Sequence, residues 1–195
     1  MTSAATVKPA TAAETSHSDA SNGVLQFVSF RVGTEEFGVE ILKVHEIIRF
    51  RQLTRVQNLP RHAEGVFNLR GKVIPVIGLR QVIGLEKLET NNATRIVVAS
   101  VKDEILGIVV DSVSEVLRIA RDTVEPAPRL REGHGGYVSG IGKLEDRLLL
   151  LLELDHLLSE EETADLATLS ESTAERTEGE SASNALSDEE RAAQP

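Results

Sequence analysis

The sequence predicts an all-β fold with a few short helices, in which two small antiparallel barrels pack together. Short runs rich in Val, Ile and Phe alternate with turns that contain Gly, Pro or charged residues, a spacing typical of small closed β-structures. The same order of runs occurs twice along the chain, which indicates duplicated subdomains rather than a solenoid. Neither copy is long enough for a large core of its own, so we expect the two to pack against each other.

Charge is concentrated at the two ends of the chain. Residues 1–23 and 159–195 carry net charges of −1 and −9, so residues 24–158 are neutral within the total of −10. Both ends are rich in small and polar residues, a composition that favours disorder. We therefore predict a disordered leader over 1–23, a folded domain over 24–158 and a mostly disordered acidic tail over 159–195.

Nothing in the sequence predicts secretion or membrane insertion. The N-terminal residues contain no apolar segment of the kind a signal peptide needs. The longest apolar run, residues 148–152, is far shorter than the ~20 residues of a membrane helix. The chain also has no Cys, which excludes disulfides and thiolate chemistry and fits a reducing compartment. A cytoplasmic protein is expected.

The elements of the first half can be placed in order. Extended segments are expected at residues 24–30, 37–41, 44–50, 65–69 and 73–77. A short helix is expected over 79–85, and a polar linker over 87–93 separates the halves. Gly71 permits the tight turn between the last two strands. Because Pro75 has no N–H to donate, its strand is expected to lie at a sheet edge or to carry a bulge.

The second half repeats these features at slightly different offsets. The matches are Gly38 with Gly107 and Glu46 with Glu115 at an offset of 69, Gly65 with Gly136 at 71, and residues 73–83 with 148–158 at 75. We take residues 24–86 and 94–158 as the two repeat halves, and we expect each half to form one barrel.

The sequence contains no pattern that predicts catalysis, a metal site or a bound cofactor. The five His are isolated, without a helical i, i+4 pair or an H-E-x-x-H motif. A P-loop and a nucleophile elbow are both absent. The neutral middle of the chain, with only five Phe and one Tyr, argues against nucleic-acid binding. An interaction surface is therefore favoured, and a barrel that binds a small ligand is the alternative from another class.

Two charged residues are candidates for that surface. Arg70 is raised on the predicted hairpin turn, and a guanidinium is well suited to bidentate contacts; a solvated turn charge is the alternative. Glu46 lies in an apolar run between Val44 and Ile47. It is either a polar contact within a docking surface or the outward-facing position of an alternating strand.

Four motifs, in order, resemble the chemotaxis coupling proteins of the CheW family over residues 24–158. They are F-G-V-E-I followed by V-H-E-I, N-L-R-G-K-V-I-P-V-I followed by L-R, G-I-V-V-D-S-V-S-E-V, and G-I-G. The resemblance implies two five-stranded, SH3-like barrels that share a core. It also implies a non-enzymatic adaptor of two-component signalling. Gly78 stands where the family commonly has Asp, which predicts a helix without a side-chain cap.

The resemblance also implies the partners of the chain. These are the cytoplasmic tips of transmembrane chemoreceptors and the regulatory domain of a histidine autokinase, with recruitment to receptor arrays and without direct membrane insertion. A related pathway, for type-IV pilus motility or second-messenger control, stays open as the alternative. The positions that match partner-binding or interface-shaping residues of the family are Arg70, Glu46, Val44, Ile47, Gly65, Gly71 and Gly107.

Overall fold

The computed structural model describes residues 23–56, 59–127 and 136–168. Its strands are β1 (Val24–Val32), β2 (Glu35–Glu40), β3 (Val44–Arg49), β4 (Ala63–Leu69), β5 (Lys72–Gly78), β6 (Arg95–Val101), β7 (Glu104–Val110), β8 (Ser112–Ala120), β9 (Val124–Pro126), β10 (Val138–Lys143) and β11 (Leu148–Leu152). Its helices are α1 (Leu79–Val82), α2 (160–168) and three 3-10 turns at Ile41–Lys43, Arg121–Thr123 and Leu154–His156. The predicted all-β class is confirmed. In the described part of the chain, no helix has the length and apolar character needed to cross a membrane.

The strands form two sheets, and each sheet takes strands from both halves of the sequence. Sheet A has the order β8-β1-β2-β11-β10-β9, and sheet B has the order β3-β6-β7-β5-β4. The expectation that each half forms one barrel is therefore corrected. Sequence similarity shows which segments correspond, but it does not show which of them pair.

The exchange of strands between the halves is symmetric. Val44 of β3 lies opposite Ala99 of β6, and Val113 of β8 lies opposite Phe30 of β1. The second pairing follows from the first when Val44 is moved forward and Ala99 backward by 69 residues. The two parallel pairings, β5 with β7 and β11 with β2, correspond in the same way. The offsets of 69 and 75 read from the sequence therefore match the structural equivalence of the halves.

The offset of 71 was wrong. Gly65 lies opposite Val76, and Gly140 lies opposite Leu151, each just after a register shift in its strand. The counterpart of Gly65 is therefore Gly140 rather than Gly136. Such a register shift is defined by how a strand pairs with its partner, so the sequence of the strand alone does not reveal it.

Three apolar clusters fill the fold. One cluster lies within sheet B around Phe67 and Ile96, and another lies within sheet A around Phe27 and Leu149. The largest cluster draws on both sheets and includes Phe37. Two curled sheets with small cores of their own and one common core fit the expectation of barrel-like subdomains that share a core.

Pro75 does not lie at a sheet edge. Its strand, β5, lies between β4 and β7, and the register shift of the hairpin falls in β4. The parallel ladder with β7 begins only at Val76. The missing N–H of Pro75 therefore precedes that ladder and does not interrupt it.

The folded part of the chain continues past the expected end at Leu158. The hydroxyl of Ser159 accepts a hydrogen bond from the Glu162 N–H at 3.2 Å, and the Glu162 carboxylate accepts one from the Ser159 N–H at 3.0 Å. This reciprocal capping box begins α2, and Leu166 of that helix is buried in the common core. The S-x-x-E pattern of this capping box, at residues 159–162, can be read directly from the sequence. The remaining predicted tail and the leader before Gly23 lie outside the described residues.

An ion pair joins α1 to the connection between β7 and β8. Arg80 donates through Nε and a terminal nitrogen to the two oxygens of Asp111 at 2.8 and 2.7 Å. Asp111 also accepts the Gly33 N–H at 2.8 Å. Arg80 therefore links α1, through Asp111, to the turn that contains Gly33. As predicted, Gly78 begins α1 without a side-chain cap.

A related contact occurs at the equivalent place in the second half, with the acid and the cation exchanged: Asp155 stands at the position that corresponds to Arg80. Asp155 accepts hydrogen bonds from the Lys43 ammonium and the Lys102 N–H, both at 2.7 Å. Lys102 is the equivalent of Gly33 at the 69-residue offset. Each half thus ties a tight turn to a carboxylate and its cation.

Asp111→Asn is expected to flatten the acid side of the stability profile. The hydrogen bond from Arg80, more than the bond from the Gly33 N–H, lowers the pKa of Asp111 although burial opposes it. The folded protein therefore binds this proton less readily than the unfolded chain, so the ion pair stabilises above the ordinary value of 3.8 and is lost as pH falls through the lowered pKa. Above pH 5 the variant should lose about 1–2 kcal/mol of unfolding free energy.

Urea denaturation over a pH series measures this effect. The difference in unfolding free energy between the two proteins should shrink as pH falls through the lowered pKa. A difference that stays constant across that range would show that the carboxylate form of Asp111 contributes no stability.

Candidate functional site

A tight turn presents Arg70 at the tip of the β4–β5 hairpin. Leu69 lies opposite Lys72, so Arg70 and Gly71 form a two-residue turn, with φ angles of +55° and +87°, typical of a type I′ turn. The side chain of Asn68 accepts the Gly71 N–H at 2.8 Å. An added Cβ on Gly71 would meet no atom within 4 Å, so the glycine is needed for its backbone angle.

Arg70 forms an ion pair with Glu46. A guanidinium nitrogen of Arg70 lies 3.0 Å from a Glu46 carboxylate oxygen, with the two side chains 80% and 29% exposed. Glu46 lies on β3, at the opposite end of the strand order from the β4–β5 hairpin. The two residues meet because sheet B curls and brings the hairpin tip to β3. The structure thus joins the two charged residues that the sequence singled out.

Apolar side chains flank this pair along β3. Side chains of β3 alternate between half-buried and exposed; Val44 packs against the common core, and Ile47 is 38% exposed. Leu42, which the sequence analysis missed, lies in the preceding 3-10 turn and is 91% exposed. Its unusual exposure depends on that turn, which periodicity alone does not reveal.

We call these residues the docking edge: Leu42, Val44, Glu46, Ile47 and Arg70. Among the described residues, β3 is the terminal strand of sheet B and pairs only with β6. It therefore combines backbone groups on an open side, exposed apolar surface and a charged group held in position by its ion pair. Chemically, this arrangement can accept another polypeptide.

Two of the glycines that match family positions lie inside the fold. A Cβ on Gly107 would lie 2.9 Å from Ile96 Cγ2 and 3.1 Å from Val76 Cγ2, so Gly107 permits close packing of three strands. Its buried position excludes direct contact with a partner.

Gly65 shapes the edge of β4. With φ at +148°, it would place a Cβ 2.6 Å from the Thr54 carbonyl oxygen. Thr54 and Val66 exchange two backbone hydrogen bonds of 2.8 and 2.9 Å. Gly65 therefore allows the segment around Thr54 to lie along β4.

The second half contains an equivalent of the docking edge. Arg147 contacts Glu115 of β8 at 2.9 Å, and its Nε lies 2.9 Å from the carboxylate of the buried Glu36. Val116, which corresponds to Ile47, is exposed. The repeat of Glu46 at Glu115 was visible in the sequence. Arg147 was missed because the β10–β11 turn is longer than its counterpart.

Titratable side chains of the described residues do not form a metal site. In the ranges 23–56, 59–127 and 136–168, no group of three or more His, Asp or Glu side chains is arranged to hold a metal ion. The chemistry carried by the docking edge is that of polypeptide recognition.

The exchanged sheets and the charged edge strand define a two-sheet β-domain with an exposed strand edge. A family model described as "CheW-like domain" matches residues 26–162. The chain therefore belongs to the CheW-like family, whose named members are chemotaxis proteins. The resemblance recognised in the motifs is confirmed.

Individual relatives agree with the family match. The chain is 39% identical over 140 residues to a chemotaxis protein CheW of Klebsiella aerogenes, which covers 71% of this chain and 84% of the relative. It is 38% identical over 138 residues to the chemotaxis protein CheW of Helicobacter pylori, with coverages of 71% and 84%. The crystal structure of the scaffolding protein TtCheW from Thermoanaerobacter tengcongensis superposes with a TM-score of 0.66 at 31% identity, covering 71% of this chain and 94% of that one.

Gly107→Ala is expected to reduce stability rather than remove a binding contact. The added methyl group would press on Ile96 and Val76, and overpacking of a core typically costs about 1–3 kcal/mol. Gly136→Ala is the matched control, because a Cβ there would meet no atom within 4 Å. Urea denaturation compares the two; equal unfolding free energies would contradict the packing role.

Proposed function

We propose that this chain is a non-enzymatic adaptor that couples chemoreceptor tips to the regulatory domain of a histidine autokinase. The observation that supports this proposal most directly is the Glu46–Arg70 ion pair on the open edge of sheet B. At this place an oriented guanidinium lies beside backbone groups of β3 that a partner can reach. Membership of a family whose named members are chemotaxis proteins supplies the biological setting.

The docking edge suits a partner that itself contains β-strands. A strand added beside β3 would gain backbone hydrogen bonds, while alternate side chains contact the surface. Leu42 and Ile47 supply exposed apolar area. Arg70 supplies donors whose direction is set by Glu46 and by the tight turn, so less side-chain entropy is lost on binding.

Coupling requires the adaptor to transmit a difference between receptor states. The assembly can do so only if the kinase-bound adaptor interacts differently with the two receptor states. A rigid adaptor serves this purpose because a displacement at one contact is carried to the next. The exchanged strands and the contacts of Asp111 and Asp155 supply that rigidity.

The proposal places the protein in the cytoplasm, recruited to membrane-associated arrays through its receptor partner. It needs neither catalysis nor a cofactor, and it involves no nucleic acid. Which chemosensory pathway the protein serves depends on the kinase it binds, and pilus motility or second-messenger control stays the alternative.

Arg70→Ala is expected to weaken kinase binding by about tenfold or more, because an Arg that a partner covers on binding is often an interface hot spot. The unfolding free energy should change by less than about 0.5 kcal/mol, because exposed ion pairs contribute little. Co-sedimentation with receptor-bearing membranes and the cognate kinase, read together with kinase autophosphorylation, measures the effect on coupling. A titration of the purified regulatory domain gives the affinity.

Arg121→Ala is the control, since Arg121 is an exposed arginine outside the docking edge. The charge-swapped double variant Glu46→Arg with Arg70→Glu keeps a pair of opposite charges but moves the guanidinium, and binding should stay weak. If the swap restores full binding, the partner does not contact Arg70. An unfolded Arg70→Ala protein would show that Arg70 is structural.

A further inference from the structure

A second charged surface adjoins the docking edge. Between residues 47 and 63 the chain has four Arg and no Asp or Glu. Two more cations stand on either side of Gly71 at the β4–β5 turn. We call these six residues the basic edge: Arg49, Arg51, Arg55, Arg61, Arg70 and Lys72.

The fold places most of the basic edge along β4, whereas Arg49 lies at the end of β3. The bridge between Thr54 and Val66 holds the preceding segment against that strand. The guanidinium of Arg51 lies 5.5 Å from the centre of the Phe67 ring, and Arg61 stands just before β4 begins. The cations therefore run from the hairpin tip to the start of the strand.

Most of these cations lack an anionic partner within the described ranges. All six are exposed, and only Arg70 lies within ion-pair distance of a carboxylate there. Arg49 lies directly opposite Arg95 of β6, a pairing of like charges that is unfavourable. Five cations elsewhere in the domain have carboxylate partners: Lys43, Arg80, Lys87, Lys143 and Arg147. The basic edge therefore offers unsatisfied positive charge to an anionic segment.

The chain itself contains such a segment. Residues 169–195 hold seven acidic residues and two Arg, and four of the acidic residues fall within 171–180. Fully extended, residues 171–180 span up to roughly 35 Å. The seven residues of β4 extend about 23 Å. The acidic segment is therefore long enough to span β4, along which most of the basic edge lies.

The acidic segment also leaves the domain close to this surface. Nε2 of His62 lies 3.6 Å from a carboxylate oxygen of Glu162 in α2, and His62 adjoins Arg61. Only about 9 Å of helix rise separates Glu162 from Thr168. Because Leu166 anchors α2 in the common core, the chain continues from a fixed point near one end of the basic edge.

We propose that residues 169–195 dock in cis on the basic edge, through contacts between carboxylates and guanidinium groups. The segment is tethered, so its effective concentration at the surface is high, on the order of millimolar. Because Arg70 belongs to both edges, the docked segment covers part of the docking edge. The inference concerns the free protein and does not rest on the proposed function.

Paramagnetic relaxation enhancement in the full-length chain tests this proposal. The protein contains no Cys, so Ser181→Cys carries a single nitroxide label beside the four carboxylates. Amide signals of residues 49–56, Arg61 and 70–72 are expected to lose intensity, while those of sheet A keep theirs. About 0.5 M salt should restore the signals, because screening weakens exposed charge contacts.

Two variants show whether charge directs the contact. Replacing Glu171, Glu175, Glu178 and Glu180 by Gln should abolish the loss of intensity. Arg51→Gln with Arg55→Gln should reduce it, whereas the matched pair Arg118→Gln in β8 with Arg121→Gln just after that strand should leave it unchanged. Intensity losses that are uniform, that centre on sheet A or that persist after the Glu replacements would overturn the proposal.

Mixing spin-labelled, isotope-free protein with unlabelled, isotope-enriched protein separates cis from trans docking. No loss of intensity is expected in the enriched protein at the same concentration. Losses at the basic edge in that mixture would show that a second copy supplies the segment, which overturns docking in cis. Because no kinase or receptor is present, these outcomes are independent of whether the adaptor proposal holds.

Discussion

The structure depends on the two parallel pairings that join the halves, β5 with β7 and β11 with β2. Neither half can complete its sheet without them. Close approach at these crossings requires glycine: a Cβ on Gly38 would lie 2.8 Å from Leu149 Cδ2 of β11, and one on Gly107 would lie 3.1 Å from Val76 Cγ2 of β5. The duplication is therefore one cooperative unit rather than two independent barrels.

The exchange of strands also determines where the open edges fall. It leaves β3 at the end of sheet B and β8 at the end of sheet A. In each half a long hairpin then returns over its edge strand and supplies an arginine to a glutamate, Arg70 to Glu46 and Arg147 to Glu115. The two sites differ in burial, because Arg147 also contacts the buried Glu36 whereas the side chain of Arg70 is 80% exposed. The Arg70 site is therefore better suited to an incoming partner, and the basic edge beside it gives that surface a charge the acidic tail can complement.

Features of the fold and of the candidate site that depend on local residue patterns could be predicted from the sequence. The strand pattern, the 69- and 75-residue offsets, the turn at Gly71 and the choice of Arg70 and Glu46 all came from residue type and spacing. The strand exchange could not be predicted, because similarity between halves is the same whether or not their strands pair with each other. The contact between Arg70 and Glu46 depends on the curl of sheet B, a long-range property of the fold. The end of the domain was misplaced for another reason, since the acidic composition of α2 masked its capping box.

We propose that β3 and the hairpin tip beside it form the surface that engages the kinase. Amide hydrogen exchange of the full-length chain, with and without the kinase regulatory domain, tests it most directly. Added protection is expected to be concentrated in Val44–Arg49 and at Arg70, with little change in β9 and β10. Protection confined to sheet A, with exchange in β3 unaltered by the bound partner, would contradict it.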